Sequence, residues 1–120
     1  MFKIVFDDAK GIVRTTVEGF WTLADVDSCA TEMRPYLVAA RRTAKRVLVL
    51  CDARNFPVQS LQVAAAFRDM ELNMGAMRDR LAMVVSSALL KMQGQRSFDA
   101  SPTAYFCSMD EAEAWLVLED

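Results

Sequence analysis

The chain contains no histidine. That absence removes Ser-His-Asp and Cys-His nucleophilic chemistry and the commonest transition-metal ligand. Catalysis would have to rest on carboxylates or lysine. Cysteine is sparse: Cys29, Cys51 and Cys107 stand far apart. An odd count without paired spacing excludes a disulfide framework and a zinc motif. All three read as small buried hydrophobes in a reducing compartment, with no metal and no cofactor expected. The four glycines, Gly11, Gly19, Gly75 and Gly94, are never grouped, so no phosphate-cradling loop is present. Fully apolar runs stop after about five residues, far short of the ~20 that span a bilayer. The opening Met-Phe-Lys-Ile-Val-Phe-Asp-Asp lacks a signal-peptide pattern, so the expectation is a cytoplasmic protein with no membrane span. A net charge of −2 provides no basic field for nucleic acid.

What is present is an ordinary globular composition, 53% hydrophobic and 25% charged over 120 residues, enough for one domain with its own core. Phe2, Ile4 and Phe6 alternate, as do the β-branched residues from Ile12 to Val17. A turn cluster ending in Gly11 joins these runs into an antiparallel hairpin. Thr22 and Asp25 have the spacing of a capping box. Leu23, Val26, Ala30, Met33, Leu37 and Ala40 then form a helical stripe, with Pro35 predicting a kink near Thr31. Phe20 and Trp21 read as a hydrophobic staple for that helix, and Arg41 to Arg46 as its solvated basic end.

Val47 to Cys51 is continuously apolar, as in a strand buried on both faces. Asp52 to Val58 reads as a loop, and Ser60 as the cap of a second helix with Val63, Phe67, Met70 and Met74 inward. Glu71 falls on its polar side, and Gly75 stops it. Leu81 to Val85 is another buried strand, followed by a short helix from Ala88 to about Gln93 with Gly94 as its stop. Tyr105 to Cys107 reads as a last strand. Ser108 and Glu111 then box a final helix with Ala112, Trp115 and Leu116 inward. The order is β-β-α-β-α-β-α-β-α. It predicts a single α/β domain, residues 1–120, with a mixed five-stranded sheet.

In such a sheet, sites form at the carboxyl ends of the parallel strands. The predicted partner or ligand rim is Asp52, Phe56, Ser60, Ser86 and Ser87. Phe56 would anchor a partner, Pro57 would stiffen the loop, and Ser60 is the candidate phosphorylation site. A small anionic or lipid-like ligand held under the helix N-termini is the alternative occupant. An enzyme using carboxylates such as Asp52 and Asp110 is the weakest reading, so the chain is expected not to be an enzyme. An exposed Trp or Phe beside the first hairpin would support a homodimer.

The element order, with Val47-Leu-Val-Leu-Cys-Asp52, a loop and a Ser60-led helix, resembles the STAS domain. That is the fold of bacterial anti-sigma-factor antagonists, also found at the cytoplasmic end of sulfate transporters. The likeness lies with a divergent, sporulation-type branch of small stand-alone bacterial proteins, related in shape to CRAL-TRIO lipid-transfer domains. Asp52 and the Phe56 to Ser60 stretch carry it. The resemblance implies a non-catalytic regulatory module that binds a protein partner. The family's Asp-Ser-Ser-Gly phospho-motif is replaced here by Val58-Gln59-Ser60-Leu61-Gln62, with Ser60 as its hydroxyl.

Overall fold

The computed structural model describes residues 1–43, 46–74, 79–88, 91–92 and 103–118. Alternation builds the first hairpin from β1 (Phe2–Asp7) and β2 (Ile12–Glu18), paired antiparallel. Gly11 closes its turn at φ +67°, where a side chain would be strained, and its N–H donates to the Asp7 carbonyl at 2.8 Å. There follow α1 (Leu23–Thr43), β3 (Leu48–Asn55), α2 (Leu61–Met74), β4 (Arg80–Val84), β5 (Thr103–Phe106) and α3 (Met109–Leu116). The five strands lie in the order β1-β2-β3-β4-β5, with β2 to β5 parallel. This is the expected mixed five-stranded α/β sheet. The expected Ala88–Gln93 helix lies largely outside the described residues, and the Gly75 and Gly94 stops lie wholly outside them.

β3 outlasts its apolar run. The expected loop from Asp52 is still strand as far as Asn55, because the period of two continues. Ala53 is buried, whereas the Asp52 and Arg54 side chains pair with each other on the opposite face. Alternate residues of β3 serve two cores. Val49, Cys51 and Ala53 pack with Val13, Val17, Leu81 and Met83 under α1 and α2. Leu48 and Leu50 pack with Ile12, Ala82 and Val84 under Ala112 and Leu116 of α3.

Thr22 and Asp25 make a reciprocal capping box. The Asp25 N–H donates to Thr22 Oγ1 at 3.3 Å, and the Thr22 N–H donates to Asp25 Oδ2 at 2.8 Å. α1 is assigned as continuous helix through Pro35. Its buried stripe is Val26, Cys29, Met33 and Ala40, while Leu23 in the first turn is exposed. The basic end is tied into the fold rather than simply solvated. Arg41 pairs with buried Asp79, whose other oxygen accepts the Val47 N–H at 2.7 Å. Arg46 donates to the Leu118 carbonyl at 2.6 Å and Arg80 to the Trp115 carbonyl at 2.7 Å, so both cations cover the carboxyl end of α3.

The staple reading divides. Trp21 is buried, but Phe20 is 79% exposed. Trp21 centres an aromatic cluster, with its ring 5.9 Å from Phe2, 5.2 Å from Phe56 and 5.7 Å from Phe67. The Phe56 and Phe67 rings are themselves 5.2 Å apart. Removing Phe67 thus takes a ring contact from both Trp21 and Phe56. Phe67→Ala is expected to lower the unfolding free energy by about 3–5 kcal/mol. Urea denaturation checks this, and an unchanged midpoint would place Phe67 outside the core.

Candidate functional site

The parallel register brings the carboxyl ends of β2, β3 and β4 to one edge. Thr16 lies level with Asp52, and Asp52 with Val84. Beyond them, the loop entering α1 and the loop entering α2 are stitched together. Gly19, at φ +78°, turns the chain out of β2, and its N–H donates to the Asn55 carbonyl at 3.2 Å. Gln59 completes the link. Its side-chain oxygen accepts the Trp21 N–H at 2.8 Å, and its amide nitrogen donates to the carbonyls of Gly19 at 3.0 Å and Pro57 at 2.8 Å.

The predicted rim residues share this edge but lie on different sides of it. Asp52 points to the α3 face of the sheet, where Arg54 holds it through Nε and Nη2, each at 2.9 Å. That bonding keeps the Asp52 carboxyl below its usual range. Phe56 is half-buried on the other face within the Trp21 cluster, so it supports the loop from beneath. Ser60 caps α2, accepting the Val63 N–H at 3.2 Å, and stays exposed. Ser86 and Ser87 are exposed just past β4. Asp110 is exposed in the first turn of α3.

Three side chains missed in the sequence dominate the exposed edge. Leu61 is 90% exposed, and Val58 and Phe20 are 79% exposed each. Leu23, half exposed, begins α1 beside them in sequence. A signal for Leu61 existed: it lies off the Val63–Phe67–Met70 stripe at the capped end of α2. For Phe20 the sequence left two readings open, a staple for α1 and an exposed aromatic beside the first hairpin, and the structure shows the second.

No family model matches the chain, and no curated protein sequence matches it. A solved structure does. It is an uncharacterised protein of the DUF3478 family from Shewanella loihica PV-4, with a SpoIIAA-like fold. The two agree with a TM-score of 0.69 at 18% identity, over 96% of this chain and 93% of that one. The chain has the SpoIIAA-like fold. This is the anti-sigma-antagonist, or STAS, arrangement expected from the element order. Among the described residues, no helix is long and apolar enough to cross a membrane.

The SpoIIAA-like core also holds a small, partly open cavity between the sheet, α1 and α2. It measures about 20 Å³ and is lined by Thr15, Cys29, Met33, Cys51, Met70 and Glu71 among others. That is room for about one water. Burial raises the Cys29 thiol to about 11 and the Cys51 thiol to about 12, so neither is a ready nucleophile. Cys107, by contrast, is exposed, because it falls just after β5 and not within it. Glu71 corrects the polar-side reading of α2. It is only 7% exposed, and its Oε2 has no hydrogen-bond partner among the described residues. Desolvation pushes its carboxyl up to about 8.

This carboxyl makes stability depend on pH. In the unfolded chain, Glu71 titrates near 4.5, whereas the folded protein holds the proton to about 8. Below the lower value both states are protonated and the carboxyl imposes no penalty. Between the two values the unfolded chain sheds its proton first, so stability falls as pH rises. Glu71→Gln is expected to flatten the fall in denaturation midpoint between about pH 5 and pH 8. Equal slopes in both proteins would show that Glu71 ionises freely in the fold.

Proposed function

We propose that the chain is a non-catalytic, cytoplasmic regulatory module of the STAS type that docks a protein partner at the carboxyl edge of its parallel strands. The observation that carries this reading is the grouping of Phe20, Leu23, Val58 and Leu61, exposed on two loop–helix junctions joined by Gln59. Scattered exposed apolar residues are ordinary, whereas several carried on two adjoining junctions point to an interaction site. Gln59 holds both junctions in place beforehand, which lowers the entropy cost of binding. Ser60 supplies the polar border of that surface, with Ser86 and Ser87 along the same sheet edge and Asp52 on its α3 side.

Ser60 sits between Val58 and Leu61 in that surface. A phosphate on its exposed hydroxyl would add about −1.5 to −2 charges beside apolar docking residues. It would oppose apolar docking while being tolerated by the N-terminus of α2. The cavity favours this reading over a carrier for an anionic or lipid-like ligand. A void of about 20 Å³ beside a buried carboxyl suits neither, and the larger hollow beside Leu37, Val38, Arg41 and Arg42 is an open surface feature near the end of α1 and not an enclosed site.

The test is quantitative capture of partners by tagged protein. Wild type and Arg42→Gln, altered at the far end of α1, should retain the same partner. Leu61→Asp and Ser60→Glu should weaken its binding by about 30-fold, the scale of a central anchor residue. Undiminished capture by both rim variants, with circular dichroism unchanged, would place the binding surface elsewhere.

A further inference from the structure

We propose that the outer edge of β1 pairs antiparallel with the same edge of a second copy of this chain, on a two-fold axis through Val5. Among the described residues, β1 ends the sheet and has a strand neighbour on one side only. Its bonding parity follows from the hairpin. The Glu18 N–H donates to the Met1 carbonyl at 3.0 Å, and the Met1 nitrogen donates back to the Glu18 carbonyl at 3.1 Å. Bonded and non-bonded pairs alternate along an antiparallel ladder. Lys3, Val5 and Asp7 therefore bond inward to β2, and Phe2, Ile4 and Phe6 turn their N–H and C=O groups outward. No partner for those outward groups occurs among the described residues.

Such an edge is usually protected by proline, a bulge or unopposed charge. β1 contains no proline, and its register with β2 is unbroken. Its charges are self-complementary. Two-fold pairing must set outward-bonding residues against each other, which leaves registers centred on Lys3, Ile4 or Val5. The Lys3 centre opposes two lysines, which is repulsive. The Ile4 centre sets Lys3 against Val5. The Val5 centre bonds Ile4 to Phe6 of the second copy and sets Lys3 against its Asp7. Lys3 and Asp7 then form a non-bonded pair, the type with the closer side chains. Arg14 already pairs with Asp7 and holds it ionised. Val5, 45% exposed, would meet its own copy on the axis.

The axis runs perpendicular to the sheet. Both α1–α2 layers fall on one side of a ten-stranded sheet, and the two carboxyl edges point in opposite directions. The rim stays open in each copy, so this contact is independent of the docking reading. One strand pair is a small interface, which implies a weak, concentration-dependent dimer.

Sedimentation equilibrium of the full chain, from about 1 μM to about 1 mM, should show reversible dimerisation. Val5→Lys, placing two lysines on the axis, should raise the dissociation constant at least about tenfold with the thermal midpoint unchanged. The register is tested in a Cys107→Ser background, since Cys29 and Cys51 are buried. Under mild oxidation, Val5→Cys should give a covalent dimer, and Lys3→Cys and Ile4→Cys should not. A monomer at every concentration would overturn the proposal. So would a dimer that Val5→Lys leaves intact, or one that crosslinks at Lys3→Cys or Ile4→Cys instead.

Discussion

The fold depends on covering both faces of β3. Leu48, Val49, Leu50 and Cys51 are all buried, so this strand needs a ladder on each side and an apolar layer above and below. The sheet order follows chain order from β2 to β5. Right-handed crossovers moving steadily in one direction place their helices on one face. α1 and α2 therefore share a side, and the opposite face must be closed by an element that is not one of these crossovers. α3 does this with Ala112 and Leu116 over Leu48, Leu50, Ile12, Ala82 and Val84. Ion pairs fix its outer side. Arg14 bridges Asp7 and Glu113, and Lys10 reaches the same Glu113 at 2.8 Å, tying the last helix to the first hairpin.

The same alternation shapes the functional edge. A strand buried on both faces delivers successive residues to opposite sides as it emerges. Asp52 emerges toward α3, and the chain then bends back so that Phe56 lies under the Trp21 cluster. A rim made of Asp52, Phe56 and Ser60 is thus one edge in projection but two surfaces in space. Its exposed apolar part lies wholly on the two junctions that Gln59 joins.

Features governed by local chemistry were legible in sequence. The capping spacings at Thr22 and Ser108, the hairpin closed by Gly11 and the doubly buried Val47 to Cys51 run each state a rule that neighbouring residues suffice to satisfy. Features governed by helix rotation or loop contact were not. Glu71 lies on the polar side of α2 by composition, but the helix turns it toward the sheet, where it meets Cys51 and Tyr105 electrostatically. Asp52 to Asn55 looks like a loop by residue type. It remains strand because Ala53 has a core to enter and Arg54 neutralises Asp52. Gln59 is an unremarkable polar residue until the β2–α1 loop arrives beside it.

A shared fold does not carry a function, so the site must be argued from this chain's own edge. Val38, Met92, Val117 and Leu118 are also exposed apolar residues. Phe20, Val58 and Leu61 are more exposed than any of these, and they lie on two junctions bonded to each other. Their backbone is held by the Gln59 bonds and by Gly19 against Asn55, while the Trp21 cluster fills the space beneath. Apolar groups held out of the core by a bonded, packed scaffold form a surface that needs little reordering to bind. Two carboxylates near these junctions already have partners within the fold, Asp52 in its pair with Arg54 and Asp25 in its bonds from the Thr22 N–H and hydroxyl. A partner covering this edge removes apolar surface from water while those two carboxylates keep their hydrogen bonds, which lowers the desolvation cost of association.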